Sequence, residues 1–442
     1  MNRLRIIRPP ALARVAAFAA LSVLALVVVA SARAATLVSE TTWGGPVSEV
    51  ASGVAVSSDG STYLTGFTTS FDAFGQLQLF VVKHAPDGTI AWQQTWEGPD
   101  QFGNDEGTDV AVAPDGSVYV TGSTLGNRGD ALLLKFSSDG SLLWQRRWDS
   151  GGTERAEDVA IASDGSVYVV GGTSGFGDSV FLLRFAPDGT LAWQRIFGPA
   201  RADGLALAAD GSIYVAGTAA RSGAVSGADV VLLKLDSTGT LVWRRAYSGS
   251  EIADARGGVT VAPDGSVYVG GAIQASTQKV VVDALIVKFG SDGSLLWDRG
   301  WGGRSGDVGG GVAALQDGSV VFVGETNSFG AGIDDAFVLR LDTEGRGIDS
   351  NTWGGAGIDH GEDVVIAADG TIVVGATTES PPYVFDRASS KTYRVRGTVA
   401  ESTVAEVAGA GTVLDGGGTA ANATGTSPGA GDFDGAVLRV AP

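Results

Sequence analysis

The chain has 442 residues, a formal net charge of −19 and no cysteine. Its hydrophobic fraction of 44% excludes a disordered chain, and its 67 glycines suit a protein rich in tight turns. The negative charge, without any cluster of Lys or Arg, argues against a nucleic-acid partner because phosphates would be repelled. The lack of cysteine excludes thiol catalysis, thiolate metal sites and disulfides, so stability must come from core burial.

Residues 1–34 have the pattern of a secretory signal peptide. A basic start with four arginines precedes an apolar run of 16 residues, Val15 to Ala30, and an A-x-A cleavage site that ends at Ala34. The run is shorter than the roughly 20 residues of a membrane span. Cleavage is the favoured interpretation and an uncleaved anchor is the alternative. We therefore expect residues 35–442 to be secreted, periplasmic or on the surface of a bacterium, without membrane contact after cleavage.

A repeated pattern organises the rest of the chain. Between Asp109 and Trp148, short apolar runs flank Asp115-Gly116 and Asp139-Gly140, and such Asp-Gly pairs between alternating runs indicate tight hairpins. The first turn of this pattern recurs at intervals of 46 to 56 residues, the period of four-stranded propeller blades. Its seven occurrences start at Asp59, Asp115, Asp164, Asp210, Asp264, Asp317 and Asp369.

The two ends of the chain complement each other. The seventh unit stops after its third strand, Gly435 to Val440, whereas Thr36 to Trp43 aligns without a gap to the fourth strand of unit 4. The sequence therefore predicts an all-β fold: a single seven-bladed β-propeller of four-stranded antiparallel blades over residues 35–442. In this interpretation the N-terminal strand completes the last blade and closes the ring. Closure leaves no sheet face of a terminal blade exposed to solvent.

Every unit carries an aromatic residue at one aligned position of its fourth strand. We interpret this ladder as packing between neighbouring sheets, and a stacking platform for sugars or bases is the alternative. The positions are Trp43, Trp96, Trp148, Phe197, Tyr247, Trp301 and Trp353.

At these residues the chain resembles a known family. The segment 96–148 shows almost the whole pattern W-G-G…D…G-V-A-V-x-x-D-G-S-V-Y-V-T-G-x-T…D-A-x-L-x-K-F-x-x-D-G-S-L-L-W, which is similar to the SBBP repeats of exported bacterial proteins. The resemblance extends over residues 36–442. It implies an extracytoplasmic seven-bladed propeller, and it implies no catalytic residues.

Two aligned sets of carboxylates precede the first and third strands. In a propeller these loops lie on the binding face, and oxygen-rich loops are what calcium requires. Capping of nearby backbone N–H groups is the favoured interpretation, and calcium binding is the alternative. The calcium candidates are Asp105, Asp130, Asp178, Asp229, Asp254, Asp283, Asp307, Asp335, Asp359 and Asp434, and Glu49 and Glu154 occupy aligned positions.

The sequence offers one candidate centre for proton transfer. His360 lies between Asp359 and Glu362 in the loop that enters unit 7, and such a cluster suits a general base or a metal ligand. The alternative is a solvated polar turn. The chain lacks the Walker and H-E-x-x-H motifs, so zinc proteolysis has no support.

One segment interrupts the repeat, at about residues 379–432 between the second and third strands of unit 7. Residues 383–385 and 393–399 have strand character and suggest a small hairpin, and residues 408–431 suggest a flexible segment. We expect this insertion to project over the binding face beside His360. Docking of its basic residues on the carboxylates is the favoured interpretation, and contact with an outside partner is the alternative.

The first functional hypothesis is a non-enzymatic, monomeric binding or scaffold protein for an extracellular protein or glycan, without a cofactor. The second is a hydrolase or lyase that acts on polysaccharide with Asp359, His360 and Glu362. The third is a calcium-dependent surface protein. The near-repetition of the loops favours the first hypothesis, because enzymatic propellers need irregular polar residues at the channel mouth.

Overall fold

A computed structural model describes residues 35–72, 74–99, 103–124, 129–221, 227–249, 252–276, 279–379, 383–388, 391–415, 417–423 and 434–441. The signal peptide expected at 1–34 lies outside the described residues. The described chain is an all-β, propeller-like assembly of antiparallel sheets. It contains no helix long and apolar enough to cross a membrane.

The strands follow the repeat of the sequence, and we number the units by their Asp-Gly turns. Units 1 to 3 contain β2 Glu49–Val56, β3 Thr62–Thr68, β4 Gln78–His84, β5 Ile90–Glu97, β6 Asp105–Val112, β7 Val118–Thr124, β8 Asp130–Phe136, β9 Leu142–Asp149, β10 Glu154–Ile161, β11 Val167–Thr173, β12 Ser179–Phe185 and β13 Leu191–Gly198. Units 4 and 5 contain β14 Arg201–Leu207, β15 Ile213–Ala220, β16 Ala228–Leu235, β17 Leu241–Ser248, β18 Ile252–Asp254, β19 Val259–Val261, β20 Val267–Ser276, β21 Lys279–Phe289 and β22 Leu295–Gly302. Units 6 and 7 contain β23 Asp307–Ala314, β24 Val320–Thr326, β25 Asp335–Leu341, β26 Gly347–Gly354, β27 Asp359–Ile366, β28 Ile372–Thr378, β35 Asp434–Val440 and β1 Leu37–Trp43.

The Asp-Gly pairs make the hairpin turns that the sequence predicts. At Asp115, the carboxylate accepts the backbone N–H of Ser117 at 2.9 Å. The following Gly116 has φ +82°, a conformation that residues with a Cβ atom rarely adopt. A short acidic residue and a glycine are therefore both needed at this turn.

The described strands form six hydrogen-bonded sheets rather than seven separate ones. Units 4 and 5 share one sheet of eleven strands, because Ala228 in β16 and Ile252 in β18 form a parallel bridge. The first strand of unit 5 is also broken into β18 and β19, which the regular repeat does not predict.

The N-terminal strand belongs to the sheet of unit 7. Strand β1 pairs antiparallel with β35, with Trp43 opposite Gly435, in the order β1-β35-β28-β27. One core cluster joins this sheet to both of its neighbours: Val374 of unit 7 packs in it with Leu64 of unit 1 and Val323 of unit 6. The first and last repeats along the chain are therefore in contact.

The insertion forms a belt around the outer strands, so the prediction that it projects over the binding face was wrong. Its six strands each pair antiparallel with the fourth strand of a different unit, in descending order from unit 6 to unit 1. The predicted hairpin of residues 383–385 with 393–399 is also absent from the described residues, because 384–387 pair with unit 6 whereas 391–393 and 398–401 pair with units 5 and 4. The belt strands are β29 Val384–Arg387, β30 Lys391–Tyr393, β31 Thr398–Glu401, β32 Ala405–Glu406, β33 Thr412–Asp415 and β34 Thr419–Asn422.

The belt has a repeat of its own, because its six strands start at steps of seven residues. The second residue of each step lies opposite the ladder aromatic, as Val413 lies opposite Trp148 and Ala420 opposite Trp96. The large aromatics of this ladder are buried, with Trp96 at 0% and Trp148 at 1% exposure. The ladder is core between sheets and belt, and its rings are inaccessible as a stacking platform.

Candidate functional site

A cavity of about 760 Å³ lies where the first strands of the seven units converge. Each unit contributes lining residues from its innermost strand or the turn beside it. The volume falls within the range of about 300 to 1,000 Å³ that is typical of small-molecule sites. Its charged lining residues are Asp109, Arg155, Glu157, Asp158, Arg201, Asp203, Arg256, Glu325, Glu362 and Asp363, together with His360.

Three aspartates in this cavity link neighbouring units through the backbone. Asp109 accepts the N–H of Val159 at 3.0 Å, and Asp363 accepts the N–H of Val54 at 3.0 Å. Asp158 makes the same kind of bond to unit 4 at 2.6 Å. Each aspartate directly follows a β-bulge, which turns the carboxylate toward the next unit.

Burial raises the pKa of Asp363 to about 6. Burial also raises the pKa of Asp109 well above its usual range, and the negative charges of Asp158 and Asp363 act in the same direction. Burial is also the main cause of the raised pKa of Asp158. Three carboxylates at one level of the cavity therefore repel one another when ionised, and this level favours a proton or a positively charged group.

Arginines of units 3 to 5 line one side of the cavity. Arg155 contacts Glu157, with 3.1 Å between Nε and Oε2, and it also pairs with Glu106. Arg201 lies 3.6 Å from Asp203. Each guanidinium is thus paired with an acid, while the Arg201 side chain remains 71% exposed.

The carboxylate of Asp203 also accepts the hydroxyl of Thr218 at 2.7 Å. Burial raises the pKa of Asp203 to about 6. Burial likewise raises the pKa of Glu157, against the opposing charge of Arg155. Both acids can therefore accept hydrogen bonds from a ligand, and Asp203 is easily protonated below neutral pH.

His360 and two glutamates form the opposite side of the cavity. The Nε2 atom of His360 lies 3.0 Å from Oε2 of Glu325, although the contact lacks hydrogen-bond alignment. Its Nδ1 atom lies 3.8 Å from Oε1 of Glu362. Burial raises the pKa of Glu362, and the neighbouring imidazole opposes that shift. An imidazole between two carboxylates can accept or donate a proton to a ligand bound here.

The structure separates Asp359 from the other two predicted proton-transfer residues. Its side chain is fully buried at the boundary with unit 6, where it accepts the N–H of Gly355 at 2.7 Å and the hydroxyl of Thr378. Burial raises the pKa of Asp359 to about 6. Asp359 is therefore a buried structural acid. The carboxylate beside His360 belongs to Glu325 of unit 6, not to Asp359 as the sequence suggested.

Most acids of the set before the first strands contact donors of their own loops. Glu49 accepts from Gly45 at 2.9 Å, Asp105 accepts from Gly98 at 2.7 Å, and Asp307 accepts from Gly303 at 2.9 Å. Asp254 instead contacts Arg256, at 2.9 Å between Oδ2 and Nη2. These bonds match the capping interpretation of the set.

The set before the third strands is less uniform. Asp130 and Asp229 form ion pairs of 2.8 Å with arginines of their own units, Arg147 and Arg221. Asp335 accepts a backbone N–H at 2.9 Å. The remaining members differ further: Asp283 accepts the hydroxyl of the belt residue Tyr393, Asp178 is exposed, and Asp434 is buried beside Gly44.

Sequence reasoning missed most of the cavity. The side chains of Arg155 and Arg201 stand in first strands at a position where other units carry apolar residues, such as Val50 and Val308, whereas Glu325 stands in the second strand of unit 6. A comparison of the seven first strands, position by position, would have found the two arginines as departures from the repeat. The acids that recur once per unit stand instead at the ends of the loops, which is why the sequence pattern pointed there.

Residues 113–142 match a family model described as a domain of unknown function (DUF5122) beta-propeller. No curated protein matches the chain.

Several solved propeller structures resemble the fold at low sequence identity. The Dos1 propeller is 10% identical, with a TM-score of 0.47, over 79% of this chain and 93% of that one. The periplasmic gluconolactonase PpgL of Pseudomonas aeruginosa is 14% identical, with a TM-score of 0.45, over 85% of this chain and 99% of that one. A polysaccharide lyase, the PL25 ulvan lyase, is 10% identical, with a TM-score of 0.41, over 80% and 93%. At these identities the likeness concerns the β-propeller fold alone.

Proposed function

We propose that this chain is an exported β-propeller of the SBBP-repeat type that binds a neutral or amino-sugar glycan in its central cavity. Its seven units form one closed ring, and the mature protein starts after residue 34. It acts outside the cytoplasm of a bacterium, in the periplasm, at the cell surface or in the medium. The observation that carries the proposal is the charged cavity to which all seven units contribute.

Three observations support a closed ring of seven blades. Strand β1 completes the sheet of unit 7, and that sheet packs against units 1 and 6. The belt leaves unit 7 after β28, visits units 6 to 1 in order, and the chain returns to unit 7 as β35. A single cavity is lined by all seven first strands. A row of sheets without closure would not bring its two ends to one cavity.

The chemistry of the lining favours a polyhydroxylated ligand. Carboxylates accept hydrogen bonds from hydroxyl groups, and guanidiniums donate hydrogen bonds to hydroxyl and ring oxygens. The described lining has seven carboxylates against three guanidiniums, so its net charge is negative. This balance disfavours sulfated or uronic-acid chains and favours neutral sugars or protonated amino sugars.

The test is a binding panel of three oligosaccharide classes, measured by titration calorimetry. We expect chitosan and cello-oligosaccharides to bind and oligogalacturonates to bind at least tenfold more weakly. Glu325→Gln and Arg201→Ala should each weaken binding about tenfold. The matched surface control is Arg346→Ala, because Arg346 pairs only with residues of its own turn. Equal binding by both cavity variants, or a preference for the anionic sugar, would refute the proposal.

A hydrolase or lyase is the second candidate, and the contact of His360 with Glu325 at 3.0 Å favours it. An imidazole supported by a carboxylate can act as a general base. Release of new chain ends from a polysaccharide, lost in His360→Asn while binding persists, would favour this candidate. Binding without any turnover would favour the non-enzymatic function.

A further inference from the structure

Three carboxylates converge at the boundary between units 2 and 3, away from the central cavity. One oxygen each of Asp130, Asp149 and Glu154 lies within 4.8 Å of the other two. Asp130 begins β8, Asp149 ends β9 and Glu154 begins β10, so the group connects two neighbouring sheets. Among the residues that the structure describes, this is the only group of three His, Asp or Glu side chains whose ligand atoms all lie within 4.8 Å of one another.

Glu154 is the deepest member of the group, with 0% exposure. Its Oε1 atom accepts the hydroxyls of Ser150 at 2.6 Å and Thr173 at 2.9 Å. Its Oε2 atom is buried and has no hydrogen-bond partner among the described residues. A buried carboxylate oxygen without a donor is costly, and a bound cation would remove that cost.

The charges of the group leave room for a divalent cation. Arg147 pairs with Asp130 at 2.8 Å and neutralises one of the three carboxylates. The Oδ1 atom of Asp149 accepts the N–H of Gly151 at 2.6 Å, a bond to a neutral group. Two negative charges remain without a cationic partner among these contacts.

A comparison with other boundaries between units shows why only this one holds three carboxylates. After Trp301 and Trp353 the chain has Gly302 and Gly354, and a Cβ at Gly302 would lie 2.6 Å from oxygens of both Asp283 and Asp307. These boundaries therefore hold a pair of acids with no space for a third. After Trp148 the chain has Asp149 instead of glycine, which adds the third carboxylate at the same place.

The geometry points to a calcium site formed by Asp130, Asp149 and Glu154 that ties unit 2 to unit 3. Calcium takes six to eight hard oxygen ligands in irregular arrangements, and water completes a shell that begins with three carboxylates. The inference is independent of glycan binding, because none of the three residues lines the central cavity.

The experiment compares thermal unfolding of the protein from residue 35 onward in EDTA and in excess CaCl₂. Calcium at about 100 times its Kd should raise Tm by about 3 °C for a chain of this size. Terbium should replace calcium and luminesce on excitation of the adjacent Trp148. Asp149→Gly should abolish both responses and still fold, because glycine follows the ladder aromatic in four other units. Glu154→Gln should weaken binding at least tenfold.

The control is Asp335→Asn, which changes one acid at a boundary with only two. It should leave the calcium response unchanged. The inference is overturned if the unaltered protein shows neither a Tm shift nor terbium luminescence. It is equally overturned if Asp149→Gly responds as the unaltered protein does, or if only Asp335→Asn loses the response.

Discussion

The indole N–H of Trp96 donates to the side-chain oxygen of Gln145 at 2.8 Å, across the boundary between units 1 and 2. The amide nitrogen of Gln145 then donates to the carbonyl of Gly418 in the belt at 3.0 Å. One glutamine side chain thus joins two sheets and the belt. Trp148, Gln194 and Gly411 repeat the arrangement one unit further on.

Replacement of Gln145 by leucine should destabilise the protein by about 1–3 kcal/mol, because the buried indole N–H of Trp96 loses its acceptor. Urea unfolding measures the change. Gln94→Ala is the control, because Gln94 bonds to Asn422 at an exposed position and should cost less than about 0.5 kcal/mol. Equal free energies of unfolding for the two variants would mean that the hydrogen bonds of Gln145 do not stabilise the fold.

The belt glycines should not tolerate a side chain. A Cβ at Gly411 would lie 2.3 Å from the ring of Trp148 and a Cβ at Gly418 would lie 2.3 Å from the ring of Trp96, so Gly411→Val should cost about 1–3 kcal/mol. The belt residue equivalent to Gly411 in unit 3 is Val404, which is buried. The ladder aromatic there is Phe197, whose ring is smaller than that of Trp148. Gly172→Ala is the control, because no atom lies within 4 Å of its Cβ position. A neutral Gly411→Val would contradict the packing of the belt on the ladder.

The sequence predicted the units, the turns and the pairing of β1 with β35, because each depends on a local pattern repeated along the chain. It did not predict the belt. The belt residues opposite the ladder aromatics change from step to step, as Phe385, Thr392 and Glu406 show, so no single residue type marks the step of seven in the sequence. The sequence also did not predict that units 4 and 5 share a sheet, because this depends on one bridge between Ala228 and Ile252.

Of the candidate site, His360 and Glu362 were found because an imidazole among acids is conspicuous in sequence. Glu325 and Arg201 were not, since their approach to the cavity depends on the arrangement of separate units. Asp359 was misassigned because alternate residues of a strand point in opposite directions, so its side chain faces the boundary with unit 6.

Stability should depend on pH with a maximum near pH 4–5. Asp203 and Asp363 have folded pKa values of about 6, above the value of about 3.9 of an unfolded aspartate. The folded state is favoured while they are protonated, and this advantage is lost as the pH rises through 6. Asp59 has the opposite shift, to a pKa of about 2, mainly through its bond with Ser57, and its contribution is lost below about pH 4.

Thermal melts from pH 3 to pH 8 measure this dependence. Asp363→Asn keeps an oxygen acceptor for the N–H of Val54 and removes the charge, so its Tm should fall less between pH 5 and pH 7.5 than that of the unaltered protein. A steeper fall in the variant would show that ionised Asp363 stabilises the fold.

Deletion of residues 36–43 should expose the edge of β35 and cause association, because an uncovered edge strand pairs with other chains. Size-exclusion chromatography measures the effect, and the unaltered protein should elute as a monomer. Val38→Lys is the control, because Val38 is 49% exposed and its substitution should change nothing. A deletion variant that stays monomeric with an unchanged Tm would show that β1 is dispensable for the sheet of unit 7.

Hydrogen–deuterium exchange with and without chitosan oligosaccharide tests the central cavity most directly. We expect the sugar to slow exchange in the innermost strands β6, β10 and β27, which line the cavity, and to leave the belt strands β31 to β34 unchanged. Protection confined to the belt and outer strands, while the sugar is bound, would place its site elsewhere and contradict a glycan site at the centre of the propeller.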